Sequence, residues 1–125
     1  MEQPIKDLDN PQPIPLVWRS TLEAIATAIS EGDLLLSRGI RGCSELSSDT
    51  QKLIASNVED YGADVVGLSD ETWTHSQAMY QGNGRWDIIV DLATTDEPVS
   101  DLSIVATVCE SPAGWKFEID GVWVE

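Results

Sequence analysis

The imidazole and thiol chemistry open to this chain rests on three side chains, His75, Cys43 and Cys109. A structural zinc site takes four such ligands, so this set cannot complete one. Neither cysteine belongs to a C-x-x-C pair, and two are too few for a disulfide-built scaffold. The expectation is two reduced thiols. His75 lies in Trp73-Thr74-His75-Ser76-Gln77. With an acid across a sheet it could act as a general base. By alternation it shares a strand face with Trp73, Gln77 and Met79, where a lone histidine more commonly makes a structural hydrogen bond. No G-x-S-x-G elbow activates a serine, and no G-x-x-x-x-G-K-[ST] loop is present. Gly82-Asn83-Gly84 is too short to cradle phosphate, and the acids do not follow EF-hand spacing. No catalytic residue, cofactor or metal is therefore expected. An enzyme or ligand-binding domain with a helix–sheet pocket around His75 stands as the second reading.

The carboxylates are the prominent chemistry. The chain has 125 residues, with 22 Asp+Glu against 7 Lys+Arg, for a net charge of −15 and a sequence pI near 4.1. Residues 59–125 carry 14 acids and only Arg85 and Lys116 as bases, a net of −12, which leaves −3 for residues 1–58. Such a balance disfavours nucleic acid and anionic membranes as partners and favours a basic protein. At 42% hydrophobic residues the chain has the composition of a globular protein. Residues 1–7 show neither a basic nor an apolar signal region, and no apolar run approaches the roughly 20 residues a span requires. The expected location is the cytoplasm.

The elements that must position these residues divide into two halves. Prolines 4, 11, 13 and 15 make residues 1–14 an extended arm, and residues 15–125 read as a single domain. Trp18, Leu22, Ile25 and Ile29 recur at helical spacing, which predicts a helix over 16–31 that Gly32 stops. Ser47-Ser48-Asp49 is an N-cap cluster for a second helix over 49–61, closed by Gly62. Residues 33–47 between them are open to either a helical turn or a short strand, followed by loop. Beyond Gly62 the period changes to 2. A short strand or link at 65–68 is followed by predicted strands over 73–81, 85–94, 101–110 and from Trp115, with a bulge at Gly121. Helices first and an antiparallel meander after them read as α+β.

On the last three of these strands the alternation sorts charge from core. Trp86, Ile88, Val90 and Leu92 point inward and Asp87, Ile89 and Asp91 outward; Leu102, Ile104, Ala106 and Val108 point inward with Val105 outward. Glu118 and Asp120 oppose Phe117 and Ile119. The outward face should thus carry Asp87, Asp91, Glu118 and Asp120, the turn adds Asp96, Glu97 and Asp101, and Trp123 falls opposite Val122 as a candidate anchor. Acids interleaved with apolar and aromatic groups suit an interface better than a purely solvating shell.

Trp86-Asp87-Ile88-Ile89-Val90-Asp91-Leu92 followed by Ser100-Asp101-Leu102 resembles the W-x-x-x-V-D-L … S-D-L signature of a small uncharacterised bacterial domain family. Asp60-Tyr61-Gly62, Glu71-Thr72-Trp73, Pro15-Leu16-Val17-Trp18 and Glu31-Gly32-Asp33 are also similar to it, over roughly residues 14–124. Ala93 departs from the Trp usual at that place in the family. The family resembles immunity proteins in size and acidity. This implies a non-enzymatic binding protein that covers the active site of a cognate toxin domain, a basic nuclease by expectation, as a monomer or weak dimer. The layout is also similar to cystatin-like and nuclear-transport-factor-like folds.

Overall fold

A computed structural model describes residues 4–33, 40, 42–112 and 114–124. Helix α1 spans Leu16–Ser30 and helix α2 Ser48–Tyr61. The strands are β1 (Val65–Val66), β2 (Gln77–Gly82), β3 (Arg85–Asp91), β4 (Ala93–Thr94), β5 (Leu102–Ser111) and β6 (Gly114–Val124). They form an antiparallel four-stranded sheet in the order β2-β3-β5-β6 and a two-stranded sheet of β1 and β4. The architecture is α+β, as the segregated pattern predicts.

The helix signals act where the sequence places them. Ser47 Oγ accepts the Thr50 N–H at 3.2 Å, which caps α2. Gly62 ends it in the left-handed region at φ 81°. Pro15 precedes α1 without a side-chain cap, and its fixed φ of −58° supplies the start instead. In the β2–β3 hairpin, Asn83 and Gly84 both have positive φ, 56° and 71°, the requirement of a two-residue type I′ turn. The expectations for residues 34–39 and 41 lie outside the described residues.

One face of the main sheet is the core. Trp18, Leu22, Ile25 and Ile29 of α1 pack onto Trp86, Ile88, Val90, Ile104, Ala106, Val108 and Val122, all essentially buried. Trp18 is the hub. Its ring meets Trp86, Trp115 and Phe117 edge-on at centroid distances of 5.4, 5.5 and 6.2 Å. Its indole N–H is buried and has no hydrogen-bond acceptor among the described residues.

Two predicted strands are shorter than alternation suggests. Residues Asp70–Thr74 form a 3-10 helix, and β2 begins at Gln77, so Trp73 and His75 do not share a strand face with Gln77 and Met79. The reason is a buried hydroxyl pair. Thr72 Oγ1 donates to the Asp91 carbonyl at 2.6 Å and Ser76 Oγ to the Thr72 carbonyl at 2.7 Å, which closes a turn where the ladder would begin. The strand predicted over 85–94 breaks at Leu92, and Ala93 and Thr94 cross to pair with Val66 and Val65.

Both edges of the main sheet are occupied. Along β6, Phe117 N–H donates to the Gly42 carbonyl at 2.6 Å and Ser44 N–H to the Phe117 carbonyl at 2.9 Å; Asn57 of α2 donates to the Val122 carbonyl at 2.8 Å. Along β2, Gln12 and Ala78 exchange two backbone bonds of 2.8 and 2.7 Å. Among the described residues, no helix is long and apolar enough to cross a membrane.

Candidate functional site: the outer sheet face

One face of the sheet is packed, and the other carries the sequence-predicted acids. Register assigns its rows. Arg85, Cys109 and Lys116 lie side by side at the hairpin end; Met79, Asp87, Thr107 and Glu118 form the next row; Gln77, Ile89, Val105 and the Asp120–Gly121 bulge follow; Asp91, Ser103 and Trp123 close the far end. The sequence-predicted acids Asp87, Asp91, Glu118 and Asp120 therefore do come together, around a partly buried apolar centre of Met79, Ile89 and Val105.

The bulge sets the end of this surface. Val105 pairs with Gly121 but Ala106 with Ile119, so Asp120 is the extra residue on β6. The alternation restarts one step displaced, which puts Val122 in the core and Trp123 outside. The Trp123 ring lies over Gly121. A Cβ added there would fall 1.9 Å from Trp123 Cζ3, so only the missing side chain admits the ring.

Two of the carboxylates are fixed from below by buried hydroxyls. Ser103 Oγ donates to Asp91 Oδ1 at 2.7 Å, and Thr107 Oγ1 donates to Asp120 Oδ2 at 3.0 Å. The Asp120 carboxyl is held above the usual carboxylate range. Burial is the main cause and the charges of Glu118 and Asp87 add to it, while the Thr107 bond and Arg85 oppose. Ionised Asp120 thus costs the fold something.

Asp96, Glu97 and Asp101 are not in these rows. They occupy the loop beyond the acidic end, where Tyr61 of α2 donates to Glu97 Oε1 at 2.8 Å and accepts the Asp101 N–H at 3.3 Å. They prolong the negative charge past Asp91. Both bases of residues 59–125, Arg85 and Lys116, sit at the opposite end. The face is therefore polarised along its strands, basic at the hairpin end and acidic toward Trp123 and the loop. Sequence reasoning missed this polarity, although it follows from the one register in which Asp87 faces out. It also missed Met79, which the overlong strand had grouped with His75.

The other candidate chemistry is dispersed. His75 is exposed and caps the 3-10 helix, its N–H donating to the Thr72 carbonyl at 3.0 Å. The adjacent cleft is lined by Trp73, Thr74, Ser76 and Gln77 with the arm residues Pro11, Gln12 and Pro13, and not by His75. Both cysteines are free thiols. Burial pushes the Cys43 thiol up to about 11, so it is protonated and a poor nucleophile at neutral pH. Among the described residues, no group of three or more His, Cys, Asp or Glu side chains could hold a metal ion.

A matching family bears on this surface. Residues 26–125 match the family described as Domain of unknown function (DUF7668), and the chain belongs to it. The match takes in α2 and every strand of both sheets, and hence the whole outer face. No curated protein and no solved structure matches the chain.

Proposed function

We propose that the chain is a non-enzymatic binding protein whose outer sheet face docks a basic protein. The observation that carries this reading is that face itself. Four acids surround an apolar centre, two of them fixed by buried hydroxyls, and an aromatic anchor stands at the acidic end. Complementary charge speeds encounter and fixes orientation, while the desolvated centre and Trp123 supply the binding energy. The polarity orients the partner. Its most basic region faces Asp91, Asp120 and the loop acids Asp96, Glu97 and Asp101, and its less basic rim faces Arg85 and Lys116.

In its most concrete form the proposal is an immunity protein. It acts in the cytoplasm, as a monomer or weak dimer, and covers the active site of a cognate toxin domain, a basic nuclease whose phosphate-binding residues the acidic face engages. The family resemblance, the size and the acidity support this. The cystatin-like or nuclear-transport-factor-like layout is a fold analogy and carries no function by itself.

Co-expression tests the immunity reading. The reading frame adjacent to this one in its source genome is expressed alone and then with this chain, and growth is scored. Killing by the neighbour and rescue through a complex that copurifies is the expected result. A harmless neighbour, or a lethal one that this chain neither binds nor neutralises, overturns the reading.

A further inference from the structure

We propose that the N-terminal arm is an edge guard that keeps β2 from pairing with β2 of a second copy of this chain. β2 is an edge strand. Ala78 uses both its N–H and its C=O on Gln12, so Ala78 and Ile88 form a pair without mutual hydrogen bonds. The alternation of an antiparallel ladder then turns the N–H and C=O of Tyr80, two residues on, toward the same edge. Among the described residues, the arm makes no backbone hydrogen bond to them. Asp7 Oδ1 accepts the N–H groups of Asp9 at 2.9 Å and Asn10 at 3.2 Å, the chain bends over residues 8–10, and Lys6 beyond the bend meets Tyr80 through its ring, with Nζ 5.9 Å from the centroid. Pro11 and Pro13 flank Gln12, and by the same alternation their missing N–H groups fall on the arm's outer side, away from β2, where a further strand would pair. Among the described residues, Gln12 is the arm's one bridge to β2.

What this bridge blocks follows from the charge. Edge strands are commonly protected by charged side chains. β2, Gln77-Ala78-Met79-Tyr80-Gln81-Gly82, has none, in a chain of net charge −15. Two such edges brought antiparallel about a two-fold axis are self-complementary and meet no like charge on the pairing strands. The arm takes the place of the missing charges. It is pinned beyond its bridge by Trp86 Nε1, which donates to the Ile5 carbonyl at 3.1 Å, and by the Lys6–Glu110 ion pair at 3.3 Å.

The oligomeric state tests the proposal at physiological salt, by light scattering on a sizing column with folding checked by circular dichroism. The full chain is expected to be monomeric. Deletion of residues 1–11, and Gln12→Pro in the otherwise intact chain, should each strengthen dimerisation about tenfold or more, the scale of exposing a bonded edge residue. Gln77→Glu with Gln81→Glu should restore the monomer. Should the deletion unfold, Gln12→Pro decides. Amide exchange on the unaltered chain gives a reading free of variants: Ala78 should be protected about a hundredfold more than Tyr80. Folded variants that stay monomeric, a dimer indifferent to the β2 glutamates, a full chain already dimeric, or equal protection of Ala78 and Tyr80 would each overturn it.

Discussion

Replacing Gly121 by alanine probes whether the outer face holds Trp123 in a set position. Gly121 is buried because an indole lies on it, and its φ is outside the left-handed region, so alanine is not strained by backbone conformation. The conflict is with the ring alone. The new Cβ would stand 1.9 Å from Cζ3, 2.5 Å from Cε3 and 3.0 Å from Cη2 of Trp123. Regaining ordinary contact at 3.4 Å moves the rim of the ring by about 1.5 Å, a rotation that takes the side chain off its rotamer. The cost should be about 0.5–1.5 kcal/mol, well under the 3–5 kcal/mol of deleting a buried tryptophan. Urea unfolding measures that loss. Fluorine NMR of protein labelled with 5-fluorotryptophan, assigned through Trp123→Phe, reads the ring. The Trp123 resonance should move while those of Trp18, Trp73, Trp86 and Trp115 stay, and affinity for the proposed basic partner should fall about tenfold. A loss above 3 kcal/mol, or an unmoved Trp123 resonance, would refute the reasoning, because the glycine would then serve the backbone rather than the ring.

Other substitutions test the remaining physical claims. Asp120→Asn should raise the melting temperature at pH 7 while weakening partner binding. Because the folded-state pKa is raised, ionisation of Asp120 opposes folding: stability is lost as pH rises through the folded pKa, and the advantage of the variant should vanish below the ordinary carboxylate range. Melting curves from pH 3 to 8 check the sign. Trp86→Phe should cost about 1–3 kcal/mol more through its polar group than Trp18→Phe, since Trp86 N–H is bonded to the Ile5 carbonyl while Trp18 N–H has no acceptor to lose among the described residues. Matched urea titrations compare the two. Ser47→Ala should cost about 1 kcal/mol by removing the α2 cap, measurable by the same titration.

Much of the fold was legible because local chemistry and tertiary structure agree. Ser47 and Gly62 bound α2 in sequence and in space, Asn83-Gly84 can make only a tight turn, and the alternation of β3 and β5 separates core from face residue by residue. What was not legible depends on distant partners. The 3-10 helix at Asp70–Thr74 is set by Thr72 bonding the Asp91 carbonyl, 19 residues on. The break at Leu92 leaves no signal, since Leu92, Ala93 and Thr94 are all buried and only pairing with β1 divides them. The prolines announced an extended arm, yet its bridge from Gln12 to Ala78 spans 66 residues of chain. The site follows the same rule. Its acids were visible in the period-2 pattern, whereas the hydroxyls beneath Asp91 and Asp120 and the separation of bases from acids emerged only with the register.

The most direct test of the proposed docking is the affinity of a partner recovered by the co-expression experiment for this chain with its outer face charge-reversed. Asp91→Lys with Asp120→Lys moves the net charge from −15 to −11, as does the control pair Glu23→Lys with Glu45→Lys on other exposed surface. If the outer face is the interface, the face variant should stay folded and lose about a hundredfold in affinity at low salt, and the control should lose far less. Equal affinity of a folded face variant and the unaltered chain would contradict the account.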